Sequence, residues 1–272
     1  MDVKQQHSST SRMMILFVIM MIVLMIIQFS NITLFHDAFA TEMVKDSLLR
    51  FLAGSVFIVM LVNLGESKLF QWKKPLYSFL IVIPGFLIAL NNFPIIAFFS
   101  GRVSLSSPVY TVYLFAIECL SIGFFEEIIF RGMILLFILQ RLSRSKRSTF
   151  YAIILSSVIF SATHLLNLFG GASLGNTLMQ MGYSFLTGMM WATLYLKTKN
   201  LWVIMLLHAT YNFFGMVMFQ LGTVTNRYDD ITIIITIVLG VLTALYCIKL
   251  LITMDEKEIY SLLQKKIDYD YS

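Results

Sequence analysis

Apolar residues in this chain come in long unbroken runs, not in the alternation of half-buried strands or the three-to-four spacing of a water-soluble helix. Eight runs can be marked off, over residues 13–29, 48–64, 75–90, 109–139, 150–169, 177–196, 201–221 and 231–254. Most approach the ~17 to 25 residues that a membrane-crossing helix requires. The pattern therefore predicts an all-α, polytopic transmembrane helical bundle of about eight spans. The third run is marginal in length, and the fourth is long enough to cross with extra turns or with a break near Gly123 or Gly132. Pro75, Pro84 and the Asn91-Asn92-Phe93-Pro94 segment mark the start, a kink and the end of the third helix. Residues 104–108 read as an outer turn. No internal repeat or soluble domain boundary interrupts the runs, so the chain divides into three N-terminal spans (1–108), a four-span core (109–221) and a last span with its tail (222–272).

Composition agrees: 58% of the 272 residues are hydrophobic, 13% are charged, and the mean hydropathy is +0.81. Lysine and arginine orient the spans. With the N-terminus inside, fifteen of the twenty basic residues fall in inner segments, Lys4, Lys73, Arg144, Arg147, Lys199 and Lys266 among them. The outer side holds only Lys45, Arg50, Arg102 and Arg227, which predicts cytoplasmic N- and C-termini in a multi-pass cell-membrane protein. The pI near 9.1 is then a product of orientation. No basic patch interleaved with aromatics argues for nucleic acid. Cys119 and Cys247 both lie in apolar runs without a C-x-x-C, which argues against structural disulfides and a thiolate metal site. The first run exceeds a secretory h-region, and Ala38-Phe39-Ala40 lies too far downstream for cleavage, so it reads as a retained span. Asn31-Ile32-Thr33 is a sequon too short to carry weight.

Inside the fourth run sit Glu126, Glu127 and Arg131. Each costs roughly 2.5 to 3.5 kcal/mol at the centre of a membrane helix, so a chain keeps them for a reason. On an α-helix turning 100° per residue, Glu127 and Arg131 stack on one face while Glu126 points about 100° away. A buried Glu127–Arg131 pair would brace the site and leave Glu126 for chemistry; the alternative is one structural cluster tying helices together. Glu118, nearer the outer end, is either a second functional carboxylate or a water-facing or protonated one. His164 follows the small residues Ser161, Ala162 and Thr163, which admit a neighbouring helix; a packing role competes with a functional one. Ser184, Gly188 and Ala192, at spacing four, read as helix packing. His208 and Asn212 are also four apart and project from one helix face. At ~1.5 Å per residue, Glu126 lies about 21 Å from Gln140, His164 about 22 Å from Thr149, and His208 and Asn212 about 14 and 19 Å from Lys199. One mid-bilayer layer can hold all four.

A carboxylate and an imidazole that converge can deprotonate a water, and a second imidazole with an amide can donate to a tetrahedral oxyanion. No G-x-S-x-G elbow or H-E-x-x-H motif is present, which favours water as nucleophile. The residues resemble the CPBP intramembrane proteases, which include the type II CAAX prenyl endopeptidases and the bacteriocin-processing Abi proteins. The E-E-x-x-x-R pattern falls on Glu126, Glu127 and Arg131, F-x-x-x-H on Phe160 and His164, and H-x-x-x-N on His208 and Asn212, in family order. The resemblance implies that Glu126 and His164 activate water, that His208 and Asn212 hold the oxyanion, and that Glu127 and Arg131 brace the site. It also implies membrane-associated peptide or protein substrates in the lipid bilayer. Members have been described as metalloproteases, and Glu126, His164 and His208 would satisfy a catalytic zinc with one open position; metal-independent catalysis is the preferred expectation because Asn212 is a poor zinc ligand. The rival class is a non-enzymatic membrane protein, a bacteriocin immunity factor or a proton-coupled carrier, although no pair of interrupted helices suggests the inverted repeats of a carrier.

Overall fold

The computed structural model describes residues 32–263 together with Ile19, Ile22, Val23, Ile26 and Ser30. The run at 13–29 and the sequon at Asn31 thus lie largely outside the described residues, as do Lys4, Lys265 and Lys266. Most of the described residues are helical. Four helices are long and apolar enough to cross a membrane: Ala38–Asn63 (α1), Lys146–Leu168, Leu201–Gln220 (α8) and Asp230–Thr253 (α9). A shorter apolar helix, Pro75–Asn91 (α2), starts at its proline, carries Pro84 inside and stops before Pro94. Its neighbours are the five-residue α3, Ile95–Phe99, and β1, Val103–Leu105. The fourth run forms three pieces, α4 over Val109–Glu127, a π-helical segment over Ile128–Leu135 and α5 over Leu136–Arg141. The change of helix type coincides with the charged motif and takes in Gly132. The fifth run is also in two parts, α6 over Lys146–Thr163 and a 3-10 turn over His164–Leu168. Helix α7 covers Leu174–Thr198, and after α8 come β2, Gly222–Val224, α9 and the short α10, Glu256–Tyr260.

Two compact units are interleaved along the chain. Unit one comprises residues 1–65, 89–128 and 205–235. Its core is Ala40 and Met43 of α1, Phe115 and Cys119 of α4, and Val217 and Leu221 at the end of α8. Gly54 of α1 lies under the Phe124 ring, where a Cβ would come within 2.5 Å. Arg50 of α1 bridges Asp46 at 3.0 Å and Glu118 of α4 at 3.2 Å. Glu118 thus takes part in an ion pair that offsets part of the cost of a half-buried carboxylate. Strands β1 and β2 pair antiparallel, Val103 opposite Val224 and Leu105 opposite Gly222, so residues 104–108, expected as a simple turn, begin in a ladder. Ser106 and Ser107 donate their amides to the Leu221 carbonyl. Arg102 closes the ladder, donating to Asp229 Oδ2 at 2.6 Å. That bond, helped by the Thr232 amide, holds the Asp229 carboxyl below the usual aspartate range.

Unit two comprises residues 66–88, 129–204 and 236–272. Helices α6 and α7 pack along their length. Gly188 of α7 accepts this approach because a Cβ there would already stand 3.1 Å from Phe160 and 3.3 Å from Ser157; the small-residue stripe serves packing, as its spacing predicts. The basic segment 141–147 is pinned by α10. Tyr260 Oη accepts from the Ser145 amide at 3.2 Å, and Glu256 Oε1 accepts from the Lys146 amide at 2.9 Å.

Candidate active site

Helices α4 and α8 of unit one meet backbone to backbone at Gly123. A Cβ on Gly123 would lie 2.6 Å from the Met205 carbonyl oxygen and 3.1 Å from the Ala209 amide nitrogen, so a larger residue would force the helices apart. One turn further along α4 come Glu126 and Glu127, and next to Ala209 on α8 is His208. The close approach delivers the imidazole to the carboxylates. His208 Nδ1 lies 2.8 Å from Glu127 Oε1, and Nε2 lies 3.7 Å from Glu126 Oε2.

The two glutamates occupy different surroundings. Glu127 is fully buried and His208 nearly so, whereas 26% of the Glu126 side chain is exposed. A neutral imidazole that donates Nδ1–H to Glu127 presents Nε2 as an acceptor towards Glu126; protonated, it presents a second donor. A gap of 3.7 Å is too long for a direct hydrogen bond, but a water about 2.8 Å from each atom would fit across it. Asn212, half-buried, follows one turn beyond His208 on α8.

Arg131 and His164 belong to unit two and share Phe160. The Arg131 guanidinium lies 4.7 Å from the Phe160 ring centre and 5.2 Å from that of Trp191, and donates to the Gly188 carbonyl at 3.3 Å. Burying a cation against two aromatic faces and a carbonyl compensates part of its desolvation. His164 packs edge-on to Phe160 with ring centres 5.5 Å apart, at the point where α6 tightens into the 3-10 turn.

From Ile128 the helix is π, with i→i+5 bonding, so the 100° step per residue holds along α4 only as far as Glu127. What sequence reasoning missed is the Glu127–His208 bond between residues 81 apart. Its signal was Gly123, one turn before Glu127, a small residue at the depth where α8 offers Ala209. Among the described residues, no group of three His, Cys, Asp or Glu side chains is arranged to hold a metal ion. The set Glu126, His164 and His208 is not such a group.

Residues 108–214 match the family model described as Type II CAAX prenyl endopeptidase Rce1-like. The matched stretch contains all seven residues of the ordered motif set. No curated protein and no solved structure matches the chain.

Proposed function

From the membership of residues 108–214 in the Rce1-like, CAAX-protease family, we propose that the protein is an intramembrane endopeptidase that hydrolyses peptide bonds of membrane-associated peptides or proteins. The observation that carries this reading is the carboxylate–imidazole–carboxylate array, with His208 fixed by buried Glu127 and facing partly exposed Glu126. Glu126 is the general base. It takes a proton from a water as the oxygen attacks the scissile carbonyl carbon, and the proton then goes to the leaving nitrogen as the C–N bond breaks. The Asn212 amide donates to the oxyanion, joined by His208 Nε2 in the form of the enzyme whose imidazole has taken up a second proton from solvent before the attack. His164 helps Glu126 activate the water, and Glu127 and Arg131 brace the site.

The same proposal takes 109–221 as the catalytic core, eight spans with both termini cytoplasmic, and a bacterial plasma membrane as the location. Four helices of spanning length and the inside bias of basic residues support that topology. The deciding experiment is cleavage of candidate membrane peptides co-reconstituted with wild type and with Glu126→Gln. The variant keeps the size of the side chain and removes the base, so kcat should fall by about 10² to 10⁴ with the melting temperature nearly unchanged. Undiminished cleavage by well-folded Glu126→Gln would sink the mechanism, and a wild type that cleaves none of the peptides would return the protein to the non-enzymatic class.

A further inference from the structure

Helix α8 is gripped a second time, by two residues that lie outside the family-matched stretch. Asn92, just past the end of α2, pushes its side chain against the backbone of α8 at Gly215. A Cβ on Gly215 would lie 2.3 Å from Asn92 Nδ2 and 3.1 Å from its Cγ, so the amide occupies the space that any other residue would fill. Asn92 Nδ2 donates to the Tyr211 carbonyl at 3.1 Å. Arg227, in the loop between β2 and α9, completes the grip. Its Nη1 donates to the Gly215 carbonyl at 3.1 Å, and its Nη2 donates to Asn92 O at 2.6 Å and Asn92 Oδ1 at 2.8 Å. The guanidinium also lies over the rings of Phe219, 4.8 Å away, and Tyr228, 5.2 Å away. A planar fork on carbonyl and amide oxygens, stacked on aromatic faces, is a directional contact that lysine would not reproduce.

We infer that Asn92 and Arg227 form a positioning clasp that sets the rotation of α8 and so aims His208 and Asn212. The inference rests on the peptidase reading of the same helix. The gripped carbonyls, of Tyr211 and Gly215, are one turn apart and bracket Asn212 along the helix. Rotation matters more than translation here. A side-chain tip about 6 Å from the helix axis moves roughly 1 Å for a 10° turn, and a 1 Å misplacement of a reacting group costs about 100-fold in rate. Gly123 and the Glu127–His208 bond hold the stretch 205–209, while the clasp fixes the backbone of 211–215, where Phe213 and Phe214 also pack on Phe115 and Phe93. Asn212 lies within the clasped stretch, and the clasp supplies its directional polar contacts. Neither Asn92 nor Arg227 need touch the substrate, so both are positioning residues.

The test uses the full-length protein in lipid vesicles, with Asn92→Ala, Asn92→Asp, Arg227→Gln and Arg227→Lys. Peptide cleavage gives kcat and KM, detergent melting gives stability, and ¹⁵N spectra of the histidine rings report the His208–Glu127 bond whatever the reaction. Asn92→Ala and Arg227→Gln should lower kcat by about 10- to 100-fold with KM within about 2-fold, and should displace the His208 ring signals. The double variant should be no worse than the worse single one, because the two residues act as a unit. Arg227→Lys and Asn92→Asp, each keeping part of the grip, should fall in between, and they supply the answer if the harsher variants do not fold. Unchanged kcat in the folded fraction overturns the clasp, including the case where only the melting temperature drops. If wild type cleaves no peptide, the peptidase reading fails separately, and the ring signals alone decide: unmoved signals overturn the clasp, displaced ones support its hold on α8.

Discussion

Adjacent glutamates with the same intrinsic chemistry are given different work by what surrounds them. Glu126 keeps a partly open side chain for water, and Glu127 is sealed against His208. Glu127→Gln retains an oxygen for Nδ1 but removes the charge that supports a protonated ring, so its main effect should be on kcat, with a smaller loss of stability. Glu127→Ala removes the acceptor as well and should cost about 1 to 3 kcal/mol, the range for a lost hydrogen bond to a charged group in a buried site. Melting temperatures and kcat for the two variants check this; a Glu127→Gln protein with wild-type kcat would remove the imidazole from the mechanism. The identity of the polar residues was legible in the sequence because charge is conspicuous inside an apolar run. Their pairing was not, since α-helical spacing speaks only of neighbours on one helix, whereas Glu127 finds His208 across 81 residues and Glu118 finds Arg50 across 68.

At the scale of elements, glycine decides how closely α4 and α8 approach. Gly123→Ala should push the helices apart and destabilise the protein by about 1 to 3 kcal/mol, as overpacking does, while weakening the His208–Glu127 bond. Gly240 of α9 has open space where a Cβ would go. Gly240→Ala should therefore be neutral or stabilising by up to about 1 kcal/mol through helix propensity. Detergent melting of the pair separates close packing from propensity, and equal shifts would refute the close-approach argument. Proline and asparagine announced the limits of α2 correctly because their backbone restrictions act locally. The π-segment was marked only by the length of its run and by Gly132, which suggested a break but not its kind, and the 3-10 turn at His164 left no mark. Both replace one hydrogen-bonding pattern with another inside a run whose composition does not change, so hydropathy alone reads each as continuous α-helix.

For the whole molecule, interleaving governs what can be cut. Phe115, Cys119 and Val217 pack on Ala40 and Met43, which come from the first sixty residues. A fragment of residues 109–221 should thus fail to fold, though it contains every proposed site residue; recovery of a stable, cleaving fragment in detergent would count against that dependence. The polar ladder at Arg102 and Asp229 adds a pH dependence of its own. Because the folded carboxyl titrates below its unfolded value of about 3.9, its contribution is fully present above that value and disappears as pH falls through the lower, folded one. Amide exchange at Thr225, whose N–H bonds to the Arg102 carbonyl, should accelerate over that acidic window in wild type, while Asp229→Asn should exchange with no comparable step. The bond between Glu127 and His208 has a further consequence, in time. At about 5 to 20 residues per second of synthesis, the 81 residues between them take roughly 4 to 16 s to emerge. For that interval Glu127 exists without its imidazole, so water, lipid headgroups or the insertion machinery must shelter a carboxylate whose lasting partner has not yet been made.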